Sequence, residues 1–158
     1  MEDTNLSKMS QILSLLRDRY KLVESLMSTT KEMEKAVALN DMDSLGMILS
    51  MREDAMARVD QARQEIADIA ETLEGQYLEK IRRMLYQGDE EVPLENPMDE
   101  EIFNVNKQTK NAMKKLIELD VSVNERFQQA SRPSVSGRDK LEAGGSAGAR
   151  PGGLEIKA

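Results

Sequence analysis

The stretch VALNDMDSLGMILSMREDAM, residues 37–56, decides the fold of this 158-residue chain. A helical spacing of apolar residues runs into it and stops at Leu39, and a second helical spacing begins by Leu45. Between them, Asn40 tolerates the left-handed conformation that ends a helix. Asp41 can accept a hydrogen bond from a free N–H group at the start of the next helix. We therefore expect a helical hairpin whose corner lies at Asn40 and Asp41.

Apolar residues recur in steps of three and four along most of the chain, which is the spacing of amphipathic helices. This spacing predicts helices at about residues 5–39, 42–87 and 97–129. A glycine weakens a helix interior by roughly 1 kcal/mol relative to Ala, so we expect a kink or a change of packing partner near Gly75. The predicted fold is all-α, an elongated antiparallel bundle of three long helices within residues 1–130.

Two segments depart from the helical spacing. Residues 88–101 hold seven acids and no base, so a solvated connector followed by a charged first helical turn is favoured over a site for a divalent cation. Residues 131–158 contain Pro133, Pro151 and six of the nine glycines, with few apolar side chains. Such a segment buries too little surface to offset its ordering entropy. We predict a disordered C-terminal tail.

The composition excludes several classes of function. The chain has no Cys and no His, and therefore lacks the commonest general base at neutral pH and the commonest transition-metal ligands, so we expect neither an enzyme nor a cofactor or metal site. Its net charge of −7, without a Lys/Arg cluster, argues against nucleic-acid binding. No signal peptide and no apolar run of membrane-spanning length is apparent. We expect a cytoplasmic protein.

The corner imitates the opening of a calcium-binding loop. Asp41, Asp43 and Gly46 stand where the first, third and sixth residues of such a loop are expected. The imitation ends at the fifth position, which is Leu45, and at the twelfth, where Arg52 replaces the bidentate Glu. Helix capping is the better explanation of these acids.

Two sets of residues are candidates for binding a partner. Met47 and Met51 lie about 160–200° from the apolar seam of their helix at about 100° per residue, so they predict a pliable exposed patch for a partner helix. The alternative is that the third helix or a second copy of the chain covers them. We also predict a groove along the third helix, formed by Ile102, Val105, Met113, Leu116, Leu119, Val123 and Phe127.

The hairpin resembles the flagellar export chaperones of the FlgN type. The resemblance rests on the corner Val37–Leu45, on Ile48-Leu49 and on Arg52-Glu53, and it covers about residues 6–87. It implies a cytoplasmic chaperone of flagellar type III secretion. Such a chaperone binds the amphipathic helical ends of hook–filament junction proteins, prevents their premature assembly and delivers them to the export apparatus. The alternative is a structural coiled-coil protein that self-associates through its heptad seams, and a homo-oligomer is compatible with either hypothesis.

Overall fold

The structure, a computed structural model, describes residues 2–86 and 93–131. Within these residues the chain forms helices and no strand, so the predicted all-α class is confirmed. The four helices are α1 (Glu2–Ala38), α2 (Met42–Glu71), α3 (Gln76–Tyr86) and α4 (Pro97–Ser131). The predicted disordered tail, apart from its first residue, lies outside the described residues.

The corner between α1 and α2 lies at Asn40 and Asp41. Asn40 has a φ of 54°, and the N–H groups of Asn40 and Asp41 donate to the carbonyls of Val37 and Ala36 at 3.1 and 2.9 Å. This is the pattern of a Schellman motif, which satisfies carbonyls left free at the end of α1. The Asp41 carboxylate then accepts hydrogen bonds from the N–H of Ser44 at 3.1 Å and from its hydroxyl at 2.6 Å, and thereby caps α2.

Where three long helices are predicted, the described residues form four. The helix predicted over residues 42–87 is interrupted between α2 and α3, and Gly75 adopts a φ of +56° there. A residue in the left-handed conformation cannot continue a right-handed helix. The spacing of apolar residues in the sequence does not show this break, because it runs on past Gly75. The buried side chain of Leu73 and a hydrogen bond from the Glu74 N–H to the Asn5 Oδ1 (3.4 Å) anchor this break.

The described residues divide into two compact units. The first contains residues 2–24 and 57–112, without 87–92, and the second contains 25–56 and 113–131. The core of the first unit consists of Met9, Ile12, Leu13, Leu16, Ile66, Ala70, Leu73, Ile81, Met84, Leu85 and Ile102. The core of the second consists of Met33, Ala36, Val37, Leu45, Ile48 and Val123.

Cross-helix contacts give the helix directions inside each unit. In the first unit, Lys8 of α1 donates to the Thr72 carbonyl at the end of α2, so these helices run antiparallel. Arg17 pairs with Glu101, and Arg19 donates to Asn106 at 2.8 Å, so α4 runs parallel to α1. In the second unit, too, α4 runs parallel to α1, because Arg126 near the end of α4 pairs with Glu34 near the end of α1 at 3.1 Å. No helix of residues 2–86 and 93–131 has both the length and the apolar character of a membrane span.

Candidate functional site

Met47 and Met51 lie one turn apart on α2 and form an exposed surface, here called the methionine face. Their side chains are 69% and 57% exposed. The buried side of α2 in this unit is formed instead by Leu45, Ile48 and Arg52, at steps of three and four residues. The described part of the chain therefore does not cover the methionine face with a further helix, and cover by a second copy stays an alternative.

The remaining predicted partner-binding residues lie on α4 and face the interior of the two units. Four of these side chains are buried: Ile102, Met113, Leu116 and Val123. Three are half-buried and pack against the cores: Val105, Leu119 and Phe127. The reason is that α4 completes the core of each unit, so its apolar seam is used within the chain. The nine predicted residues do not form one surface, and only Met47 and Met51 are open to a partner.

The apolar side chains that α4 does expose belong to different positions. Val121 is exposed, and Ile117, one turn earlier, is just over one third exposed. They stand next to Asp120 and Leu116 in sequence, which are buried, and so lie beside the core seam of the helix. Their exposure was missed by the sequence analysis, because a seam read in steps of three and four assigns these two positions to neither face clearly.

The interior of the second unit contains a buried ion pair that the sequence analysis also missed. Arg52 of α2 has no exposed surface. Its Nη2 donates to the Asp120 Oδ1 of α4 at 2.6 Å, its Nε donates to the Thr30 Oγ1 of α1 at 3.1 Å, and its Nη1 lies 4.0 Å from the Met33 Sδ. One guanidinium thus links all three helices of this unit. The available signal was a charged residue at a core position of a helical spacing, which implies a buried partner.

Burial sets the electrostatics of this pair. It raises the pKa of Asp120, an effect that the charge and the hydrogen bond of Arg52 partly offset. Among the described residues, the Asp120 Oδ2 accepts no hydrogen bond, so one carboxylate oxygen is desolvated without a direct partner. The pair stands among packed side chains and offers no open position to a substrate. Its arrangement fits a structural role, in which α2 and α4 are held at one alignment.

The first unit carries two small pockets beside a polar cluster. Two pockets of about 200 Å³ each adjoin Lys80, whose Nζ pairs with Asp99 at 3.0 Å and with Glu95 at 3.5 Å. Small-molecule sites usually have volumes of about 300–1,000 Å³. Within the described residues, no group of three or more acidic, His or Cys side chains is placed to hold a metal ion. The candidate functional site is the methionine face, because its apolar side chains are exposed.

No family model, no curated protein and no solved structure matches this chain. The resemblance of the hairpin to export chaperones thus rests on its own residues.

Proposed function

We propose that this protein is a FlgN-like chaperone of flagellar type III secretion in the bacterial cytoplasm. In this proposal it binds the amphipathic helical ends of hook–filament junction proteins, keeps them from assembling prematurely and presents them to the export apparatus. The observation that carries the proposal is the exposed methionine face, which lies directly after the corner on which the family resemblance rests.

The chemistry of this face suits an amphipathic helix. Methionine side chains are unbranched and polarizable, so Met47 and Met51 can adapt to different apolar partners. Their spacing of four residues places them on one side of α2, where a second helix can lie along them. The α2 backbone beneath them is anchored by the buried Arg52, so the face is presented on a fixed support.

The test is a titration of the full chain with the C-terminal helical segment of a hook-associated protein from the same organism. We expect binding in the micromolar range, and replacement of both Met47 and Met51 by Gln to weaken it about tenfold or more. Val121→Gln, which removes an exposed apolar side chain from α4, is the matched control and should leave the affinity unchanged. No binding at ~100 μM peptide, which corresponds to less than about 5.5 kcal/mol, would sink the proposal.

A second candidate function is structural self-association. The observation that favours it is the pair of exposed apolar side chains on α4, Ile117 and Val121, in addition to the methionine face. Light scattering at micromolar concentration separates the two. A stable oligomer that Val121→Gln dissociates, together with no peptide binding, would favour the structural protein.

A further inference from the structure

The stretch of chain that carries the methionine face exposes charge of one sign. Four charged side chains are exposed between Ala36 and Ala57, and all four are acids: Asp41, Asp43, Glu53 and Asp54. The one base in this stretch, Arg52, is buried and paired with Asp120, so its charge does not reach the surface. The nearest exposed bases along the chain are Lys35 and Arg58, on either side of the stretch.

Two of these acids share the side of α2 that carries the methionines. The positions 43, 47, 51 and 54 follow one another at steps of four, four and three residues, so Asp43, Met47, Met51 and Asp54 lie along one side of the helix. At the far end of this side, Arg58 is an exposed base four residues after Asp54, and both side chains take part in interactions within the chain. Asp43, in the first turn of α2, is the acid that directly precedes the methionines.

Asp41, which caps α2, adds a negative charge at every physiological pH. The side-chain and backbone hydrogen bonds from Ser44 lower the pKa of Asp41, which therefore stays ionised. Exposed charges within about 8–10 Å of a surface act on an approaching partner at physiological ionic strength. Asp41 and Asp43 form an acidic border beside the methionines. Such a border suits a partner that carries bases beside its apolar side.

We propose that the partner segment that covers the methionine face is an amphipathic helix with Lys or Arg residues beside its apolar side. This inference rests on the proposed function, and it names the class of helix that the face selects. The apolar contacts with Met47 and Met51 provide the shared affinity for amphipathic helices. The acidic border then discriminates between a basic-flanked helix and an acidic-flanked helix with the same apolar side.

Two synthetic helical peptides with one apolar side and either Lys or Glu at the flanking positions test this selection on the full chain. We expect the Lys-flanked peptide to bind about tenfold more tightly at low ionic strength, and the ratio to fall to about twofold at ~0.5 M salt, because exposed charge contacts are weak individually and screened by ions. The variant Asp43→Asn should weaken the Lys-flanked peptide about two- to fivefold and leave the Glu-flanked peptide within about twofold. Glu65→Gln is the control on the same helix, and should change neither affinity.

The outcomes separate the inference from the proposed function. If both peptides bind equally at low salt, the charge selection is overturned while the chaperone proposal stands. If neither peptide binds, the inference is overturned, and the titration with the hook-associated segment decides the proposed function separately. If the free chain forms a dimer that the Met47→Gln, Met51→Gln double variant dissociates, a second copy occupies the face and the proposal of a basic partner helix is overturned.

Discussion

Arg52 and Asp120, 68 positions apart in the chain, meet with 2.6 Å between Nη2 and Oδ1 and with both side chains buried. A buried ion pair contributes little net stability, because the cost of removing both charges from water offsets their attraction. Replacement of only one of the two residues is costly, because the other charge then stays buried without its partner. The pair therefore contributes more to the alignment of α2 and α4 than to the free energy of unfolding.

Single and double replacements of the pair should have unequal effects. Asp120→Leu should lower the free energy of unfolding by about 3–5 kcal/mol, because the Arg52 guanidinium stays charged and loses its carboxylate. Arg52→Met should cost less, about 1–3 kcal/mol, because Asp120 can take up a proton. The double variant should come within about 1–2 kcal/mol of the natural chain or exceed it. Urea unfolding measures all three.

A control and a pH test accompany these variants. Arg126→Ala removes one partner of a partly exposed pair with Glu34 and should cost no more than about 1 kcal/mol. A carboxyl group with a raised pKa in the folded state contributes stability below its ordinary pKa, and this is lost as the pH rises through the raised value. The Arg52→Met variant should therefore lose less stability, relative to the natural chain, near pH 4 than near pH 7. Equal losses at both values would contradict a buried Asp120.

Two glycines should respond to the same substitution with opposite sign. Apart from the adjoining backbone and the neighbouring residues, no atom lies within 4 Å of a Cβ added at Gly46 or at Gly75, so neither substitution causes a clash. Gly46 lies in α2, and Gly46→Ala should stabilise the protein by about 0.4–1 kcal/mol. Gly75 has a φ of +56°, and Gly75→Ala should destabilise it by about 1–2 kcal/mol. Thermal unfolding of the two variants against the natural chain gives both signs.

The cap at Asp41 should make the stability of the corner depend on pH. Hydrogen bonds from Ser44 lower the pKa of Asp41, so its stabilising effect is present above the ordinary carboxyl pKa. It is lost as the pH falls through the lowered value in the folded state. Asp41→Ala should therefore be less stable than the natural chain at neutral pH, and the difference should vanish in strong acid. Asp18→Ala, at an exposed position of α1, is the comparison, and a difference that persists in acid would refute the cap.

Oxidation should distinguish the methionines by their exposure. With dilute peroxide, Met47 and Met51 should form sulfoxides faster than the buried Met9, Met33 and Met84, because peroxide must reach the sulfur. Mass spectrometry of the digested protein gives the rates residue by residue. A bound partner helix should slow the oxidation of Met47 and Met51 in particular. Uniform oxidation of all five methionines would contradict the described burial.

The local features of the chain could be predicted because they depend on a few neighbouring residues. The corner at Asn40 and Asp41 results from hydrogen bonds that span at most five residues and from one left-handed φ, and those preferences belong to Asn and Asp themselves. The helical class follows in the same way from the spacing of apolar residues. The break between α2 and α3 was harder to predict, because a glycine within a helical spacing permits a left-handed conformation without requiring one.

Burial, in contrast, depends on which helices meet. The apolar spacing of α4 is compatible both with binding of a partner by Leu116 and Val123 and with burial of these residues in a core. Only the packing of α4 onto α1 and α2 shows that they are buried. The sequence likewise shows Arg52 only as a charged residue of the corner stretch. In the structure it is buried and forms an ion pair with Asp120. The sequence by itself determined the helical class and the corner, because the spacing of apolar residues and local hydrogen bonds specify them. Only the tertiary structure decided which residues of that stretch stay exposed, because exposure depends on helices that lie far away along the chain.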